Sequence, residues 1–329
     1  MGSRYQIIES IGKGGVSEIY RAYDNELDRE VAIKRLLPLE RSRLNEPQAY
    51  GLDREVQALT RLRHPNVVSL FEFGQDREGP FVVLELIEGT TLQEVILEGA
   101  LSYPDFLDVA RQVLEAMIAA HDMDLLHRDL KPGNIMLAQS PEGDLQVKIL
   151  DFGVSKFQKQ PSTQTVDISG AVIGSADYIA PEQVEQKPID HRADLYSIGC
   201  VLYYSLAQKR PFRGGNVSQT VLNHVSNNVV PIRSFRPDIP GIIGAWLMKM
   251  LERTPDKRPG NARVALAMLE KARRLASVPD AEFSGWSELD SDSAAVERGG
   301  HHAPPHIAEP EGKGHTAPQE VPDHFTRAV

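Results

Sequence analysis

His127-Arg128-Asp129-Leu130-Lys131-Pro132-Gly133-Asn134 sets five polar side chains between apolar runs. Such a stretch is hard to explain as scaffold, because buried polar groups cost free energy unless each finds a partner. Two shorter segments stand downstream. Asp151-Phe152-Gly153 follows the strand-like Val147–Leu150, and Ala180-Pro181-Glu182 closes a polar loop that starts at Gly153. Either triplet alone is close to noise. All three segments, in this order and at this spacing, make a specific pattern.

Upstream, Gly12-Lys13-Gly14-Gly15-Val16-Ser17 is glycine-rich and precedes a strand. Glycine lets the backbone approach phosphate oxygens closely and reach φ > 0. A dinucleotide fold would need a helix after the glycines. Here Glu18–Asp24 alternates as a strand, so the loop reads as a hairpin flap, or more blandly as an ordinary turn. Val31-Ala32-Ile33-Lys34 then places a lysine in an apolar strand, where an unpaired charge is costly. Glu55, on the one helix of this region, is its candidate partner; a lysine that snorkels to solvent is the alternative.

The 329 residues divide near residue 276. From Ser277 onward the apolar patterning fades, ten acids meet three bases, and the segment carries −7 of the chain's −10. Its prolines and acids predict a disordered tail over 277–329. The histidines there (His301, His302, His306, His315) lack the cysteines and packed frame of a metal site. Before the tail, Tyr5–Ile11, Glu18–Asp24, Glu30–Leu36, Phe71–Gly74 and Phe81–Leu86 read as strands, with a helix over Leu52–Leu62. Phe106–Ala120, Ala193–Ala207, Gly241–Leu251 and Ala262–Leu275 read as helices. The expected fold is α+β: a small antiparallel β lobe with one main helix, and a larger helical lobe. A ligand is expected between them. The acidic balance argues against a general nucleic-acid binder. The single cysteine, Cys200, excludes an internal disulfide. No secretory h-region opens the chain, and Leu195–Ala207 is too short to span a bilayer. A cytoplasmic chain without membrane or nucleic-acid partners is expected.

On these motifs, residues 5–275 resemble a Hanks-type Ser/Thr protein kinase, especially bacterial members. The resemblance implies the two-lobed protein kinase fold, with an N-lobe over about 5–84, a hinge at 85–89 and a C-lobe over about 90–275. It implies transfer of the ATP γ-phosphoryl group to protein hydroxyls, with Mg2+ as the metal and Mn2+ as a substitute. By the same resemblance, Ile11-Gly12-Lys13-Gly14-Gly15-Val16-Ser17-Glu18-Ile19 covers the nucleotide. Ile19, Ala32 and Met136 sandwich the adenine, below the gatekeeper Leu84 and the hinge residues Glu85 and Ile87. Lys34, fixed by Glu55, holds the α- and β-phosphates. Asp151 and Asn134 hold the metal ions, and their oxygens suit a hard cation. Asp129 takes the proton of the incoming hydroxyl, and Lys131 neutralises the transferring phosphate. Leu59, Leu70, His127 and Phe152 form an apolar stack linking the lobes. Asp194 anchors the catalytic loop, and Glu182 pairs with Arg258. Ser17 departs from the family's third glycine and would strain a φ > 0 position. Ser175 stands where threonine is usual.

Arg128 beside Asp129 resembles kinases switched by loop phosphorylation. Thr163 and Thr165 are the expected autophosphorylation sites, with self-association for trans transfer. Protein substrates are the expected partners. A nucleotide-binding scaffold without catalysis and a small-molecule kinase of the same fold are the alternatives. Lys131-Pro132 and Ala180-Pro181-Glu182 argue against the latter, since they build a platform for an extended peptide.

Overall fold

The computed structural model describes residues 4–14, 17–36, 59–140, 142–152 and 176–276. Five strands form the first sheet: β1 (Tyr5–Lys13), β2 (Ser17–Asp24), β3 (Arg29–Leu36), β4 (Leu70–Asp76) and β5 (Gly79–Glu85). Their order is β1-β2-β3-β5-β4 and all neighbours are antiparallel. Alternation along β3 divides its side chains between two faces. Val31 and Ile33 join Tyr5, Ala22, Phe81 and Val83 in a small core of their own. Ala32 and Lys34 turn the other way, opposite Leu84 and Val82 of β5.

β6 (Gly89–Thr91), β7 (Ile135–Gln139) and β8 (Leu145–Ile149) make a second, three-stranded sheet that the sequence patterning foreshadows only in part. The larger lobe is helical. It comprises α1 (Leu92–Glu98), α2 (Tyr103–His121), the short α3 (Pro181–Val184), α4 (Arg192–Ala207), α5 (Val217–Ser226), α6 (Gly241–Met250) and α7 (Ala262–Ala276). Ser102 opens α2 by accepting the Asp105 N–H at 3.2 Å. Every residue of α4 from Ala193 to Leu206 is buried. A helix apolar on all sides belongs in a core, and α4 is the post on which the rest of this lobe is hung.

The main core runs through both lobes. Leu59, Leu62, Val67, Leu70 and Val82 belong to the same cluster as Met117, Trp246 and Leu269. The link is made by main chain as well. The Ile149 N–H donates to Asn66 O at 2.8 Å and the Val68 N–H to Ile149 O at 3.0 Å. The buried Asn66 and Gln112 side chains bond one another at 2.7 Å and reach Val147 and Leu145 of β8. Segment 64–69 is thereby fastened to the strand that leads to Asp151. Among the described residues no helix is long and apolar enough to cross a membrane. The expected tail over 277–329 lies outside the described residues.

Candidate active site

Asp194, in the first turn of α4, is the fixed point of the site. Its carboxylate is 1% exposed and accepts the adjacent N–H groups of His127 (2.9 Å) and Arg128 (2.8 Å). His121 Nε2 lies 3.0 Å from it. Two consecutive N–H groups reach one carboxylate because the chain turns sharply: Arg128 has φ of 64°, rare for a side chain of that size. Burial would push the Asp194 carboxyl up. The His121 hydrogen bond, the nearby imidazoles and the Arg128 N–H outweigh it and hold the group below the usual carboxylate range.

The His127 ring then settles the neighbouring loop. Its Nε2 faces Leu150 O at 2.8 Å, so Nε2 carries the proton and Nδ1 accepts the Asp129 N–H at 3.3 Å. The ring packs on Phe152 with centroids 4.7 Å apart. Leu59, Leu70, His127 and Phe152 are all buried, as the expected stack requires.

Around this frame the charged residues converge. Asp129 Oδ2 accepts Lys131 Nζ at 2.7 Å and Asn134 Nδ2 at 3.3 Å. Asn134 Nδ2 also donates to Asp129 O at 2.8 Å, and Asn134 O accepts the Leu150 N–H at 2.9 Å. Asp151 has φ of 57° and receives Lys34 Nζ on Oδ1 at 2.6 Å. Lys34 is thus paired across 117 positions of sequence, which answers why an apolar strand tolerates it. Its expected partner Glu55 lies outside the described residues, as do Gly15, Val16, Thr163, Thr165 and Ser175.

The donor set suits a hard divalent cation. Asn134 spends its amide nitrogen on Asp129, which leaves the amide oxygen for a cation, and Asp151 adds a carboxylate. Two protein oxygens are few, but magnesium keeps waters and substrate phosphates as its other ligands.

Other residues expected to bind nucleotide lie on the β1–β2 hairpin and on β7. Gly12 pairs with Ile19 and Lys13 with Glu18 at the end of the β1–β2 hairpin, and the Gly14 N–H donates to Ser17 O at 2.8 Å. Ile11 belongs to the same end of β1, and Met136 lies on β7 opposite Thr91. One expectation is corrected: Ser17 is an extended residue of β2 and is not among the positive-φ residues. The serine therefore carries no conformational strain.

At the hinge, the Glu85 side chain has a task of its own. Oε1 accepts Lys148 Nζ at 2.7 Å, Oε2 accepts the Ser69 N–H at 3.0 Å, and the Glu85 N–H donates to Ser69 O at 2.9 Å. What is left for a nucleotide is main chain, at Glu85 O and at Leu86 and Ile87 beyond the strand. A groove of about 360 Å³ lies beside this clamp, lined by Glu30, Glu88, Gln139, Gln146 and Lys148. It shares only Glu85 and Ile87 with the nucleotide set.

Beyond the cleft, Glu182 and Arg258 form a bidentate pair at 2.6 and 2.8 Å, both nearly sealed from solvent. Arg258 also donates to the carbonyls of Glu252, Arg192 and Arg253. Ser197 Oγ donates to Tyr178 O at 2.8 Å. Sequence reasoning missed Lys148, His121 and the Asn66–Gln112 pair. Lys148 carried the signal that singled out Lys34, a lysine within an apolar strand.

Comparisons with known proteins identify the family. The family model described as protein kinase domain matches residues 5–269. A probable serine/threonine-protein kinase of Clostridium perfringens is 33% identical over 293 residues, covering 89% of this chain and 41% of its own length. Serine/threonine-protein kinase PksC of Streptomyces coelicolor is 33% identical over 310 residues, covering 88% of this chain and 54% of its own. This chain therefore spans about half the length of the curated relatives it matches. The solved structure of Rad53 in complex with AMP-PNP superposes with a TM-score of 0.65 at 27% identity, over 80% of this chain and 64% of that one.

Proposed function

The chain belongs to the protein kinase domain family, and on that premise we propose that it transfers the γ-phosphoryl group of ATP to serine and threonine hydroxyls of proteins. The observation that carries the proposal is the contact between Lys34 and Asp151. A cation from the small lobe and a carboxylate from the large one meet at 2.6 Å, where a phosphate chain and its metal would part them.

Phosphoryl transfer calls mainly for positioning and charge neutralisation. Lys34 turns from Asp151 to the α- and β-phosphates when nucleotide enters. Asp151 and Asn134 would hold a magnesium ion, or manganese in its place, which would further neutralise phosphate charge. Asp129 orients the acceptor hydroxyl and takes its proton as the oxygen–phosphorus bond forms and the bond to the β-phosphate oxygen breaks. Lys131, already 2.7 Å from Asp129, lies ready for the γ-phosphate. The Lys131-Pro132 and Ala180-Pro181-Glu182 segments favour a protein acceptor over a small molecule. Arg128 supports self-association and autophosphorylation at Thr163 or Thr165, in a cytoplasmic setting.

The test is transfer of label from γ-labelled ATP with Mg2+, in the intact chain and in Asp129→Asn. Labelled chain or labelled acceptor protein, lost in the variant, is the expected result, with phosphosites mapping to Thr163 or Thr165. Nucleotide binding without transfer in both proteins would favour a scaffold instead.

A further inference from the structure

Three donors hold the Asp194 carboxylate, and one of them comes from outside the loop it anchors. Oδ1 accepts the Arg128 N–H at 2.8 Å and Oδ2 the His127 N–H at 2.9 Å. The third is His121, the last residue of α2, whose Nε2 lies 3.0 Å from Oδ2. An ionised carboxylate only accepts, so Nε2 carries the proton. The contact is sealed, with the two side chains 8% and 2% exposed.

A carboxylate on a single stem can rotate. The two loop N–H groups do not prevent this by themselves. They belong to the segment that Asp194 has to hold, so carboxylate and loop could shift together. His121 refers the carboxylate to a second frame. α2 sends Phe106, Val109, Val113, Leu114 and Met117 into the core. The chain beyond it turns back at once: Asp124 has φ of 57° and donates its N–H to His121 O at 3.0 Å, and the Leu125 N–H donates to Ala120 O at 3.0 Å. From there the path to Asp129 is a series of direct contacts. Asp194 fixes His127 and Arg128, and His127 Nδ1 accepts the Asp129 N–H at 3.3 Å.

Among the described residues, the titratable groups about this carboxylate are His121 from α2, His127 from the loop and, just ahead of α4, His191. The His191 ring centroid lies 5.6 Å from that of His121, and its Nε2 donates to Gly260 O at 2.7 Å. Burial pushes the Asp194 carboxyl up, and the His121 hydrogen bond is the strongest contact holding it down.

We infer that His121 is a positioning residue for phosphoryl transfer: it fixes the Asp194 carboxylate from α2, and through it the 127–129 segment that bears the proposed proton acceptor. The inference rests on the phosphotransfer reading above and adds to it a residue that acts at one remove.

The experiment follows label from γ-labelled ATP to a generic protein acceptor, using the full chain and three variants. Rates are expressed per bound fluorescent nucleotide, so that only folded protein counts. His121→Gln keeps an N–H near where Nε2 stands, His121→Asn stops short of it, and His121→Phe keeps a ring and loses the donor. The asparagine and phenylalanine variants should lower kcat by about tenfold with KM for ATP little changed, because misplaced reacting groups cost rate more than binding. His121→Gln should recover most of the loss. The acid limb of kcat should begin at a higher pH in His121→Phe than in the parent, because Asp194 then takes up a proton more readily. If His121→Phe does not fold, the contrast between His121→Gln and His121→Asn decides alone. Unmoved kcat in His121→Asn and His121→Phe, or an equal fall in all three variants, overturns the inference and leaves the kinase reading standing. No transfer by the parent, to itself or to a protein acceptor, overturns the kinase reading and this inference with it.

Discussion

Glu85 and Lys148 meet at 2.7 Å across the hinge, one ending β5 and the other three residues ahead of Asp151. The pair ties β5, which carries Leu84, to the strand that leads to Asp151. Lys148→Met should separate the two. Breaking a largely buried pair costs several kcal/mol, but Glu85 is 28% exposed and keeps the Ser69 N–H, so a loss of about 1–2 kcal/mol is expected. Urea unfolding reads that loss. Steady-state kinetics should show KM for ATP raised several-fold with a smaller change in kcat. An unmoved KM would reduce the pair to a stabilising role.

Asp129 and Lys34 should fail differently. Asp129→Asn removes the proposed proton acceptor and should lower kcat by about 10²-fold or more while nucleotide still binds. Lys34→Met removes the cation that meets Asp151, so it should weaken nucleotide affinity as well as transfer. Binding of a fluorescent nucleotide, measured beside label transfer, distinguishes them. Identical defects would mean that Lys34 and Asp129 do not divide binding from chemistry.

His224 should make the fold sensitive to acid. The ring is fully buried, with Nδ1 2.8 Å from the Tyr196 hydroxyl and the Phe212 ring 4.6 Å away. Burial lowers its imidazole to about 4 from an ordinary 6.5. Between those values the unfolded chain binds a proton that the folded chain refuses, so stability rises with pH through the window and falls on acidification. The full effect is about 3 kcal/mol. In His224→Gln the urea midpoint should change less between pH 6.5 and 4 than in the parent. Equal slopes would assign the acid sensitivity elsewhere.

Arg258→Ala should cost about 3–5 kcal/mol, because it leaves the buried Glu182 side chain without its partner in the core. Arg258→Lys should recover only part of this, since one ammonium cannot serve two carboxylate oxygens and three carbonyls. Thermal unfolding of the three proteins checks the order. A lysine variant as stable as the parent would mean that charge alone suffices.

The fold and much of the site were legible in sequence because periodicity and motif order carry them. Strands 5–13, 17–24 and 29–36 and helices 192–207 and 262–276 lie within two residues of where alternation and helical spacing put them. Lys34 meets Asp151, Lys131 and Asn134 meet Asp129, and Glu182 finds Arg258. What escaped depends on pairing between distant segments. Neither Asn66 nor Gln112 shows that it reaches β8, since an asparagine before apolar residues and a glutamine within a helix are ordinary sights. Lys148 is visible as an odd residue, but its partner Glu85 reads by position as a hinge residue for adenine. Ser17 looked strained because a motif position suggested φ > 0; the hairpin register places it in a strand instead.

The fastening of segment 64–69 to β8 also bears on how the molecule can be cut. A fragment starting after Glu85 would lose the donors and acceptors that Asn66 and Val68 offer to Val147 and Ile149, and would expose a raw strand edge. The covalent hinge and the mechanical seam are therefore different places. A large-lobe fragment would be complete only if a peptide spanning about 59–69 were supplied with it, in the manner of a complementing strand, and the end of β8 that leads to Asp151 would set only once that peptide had docked.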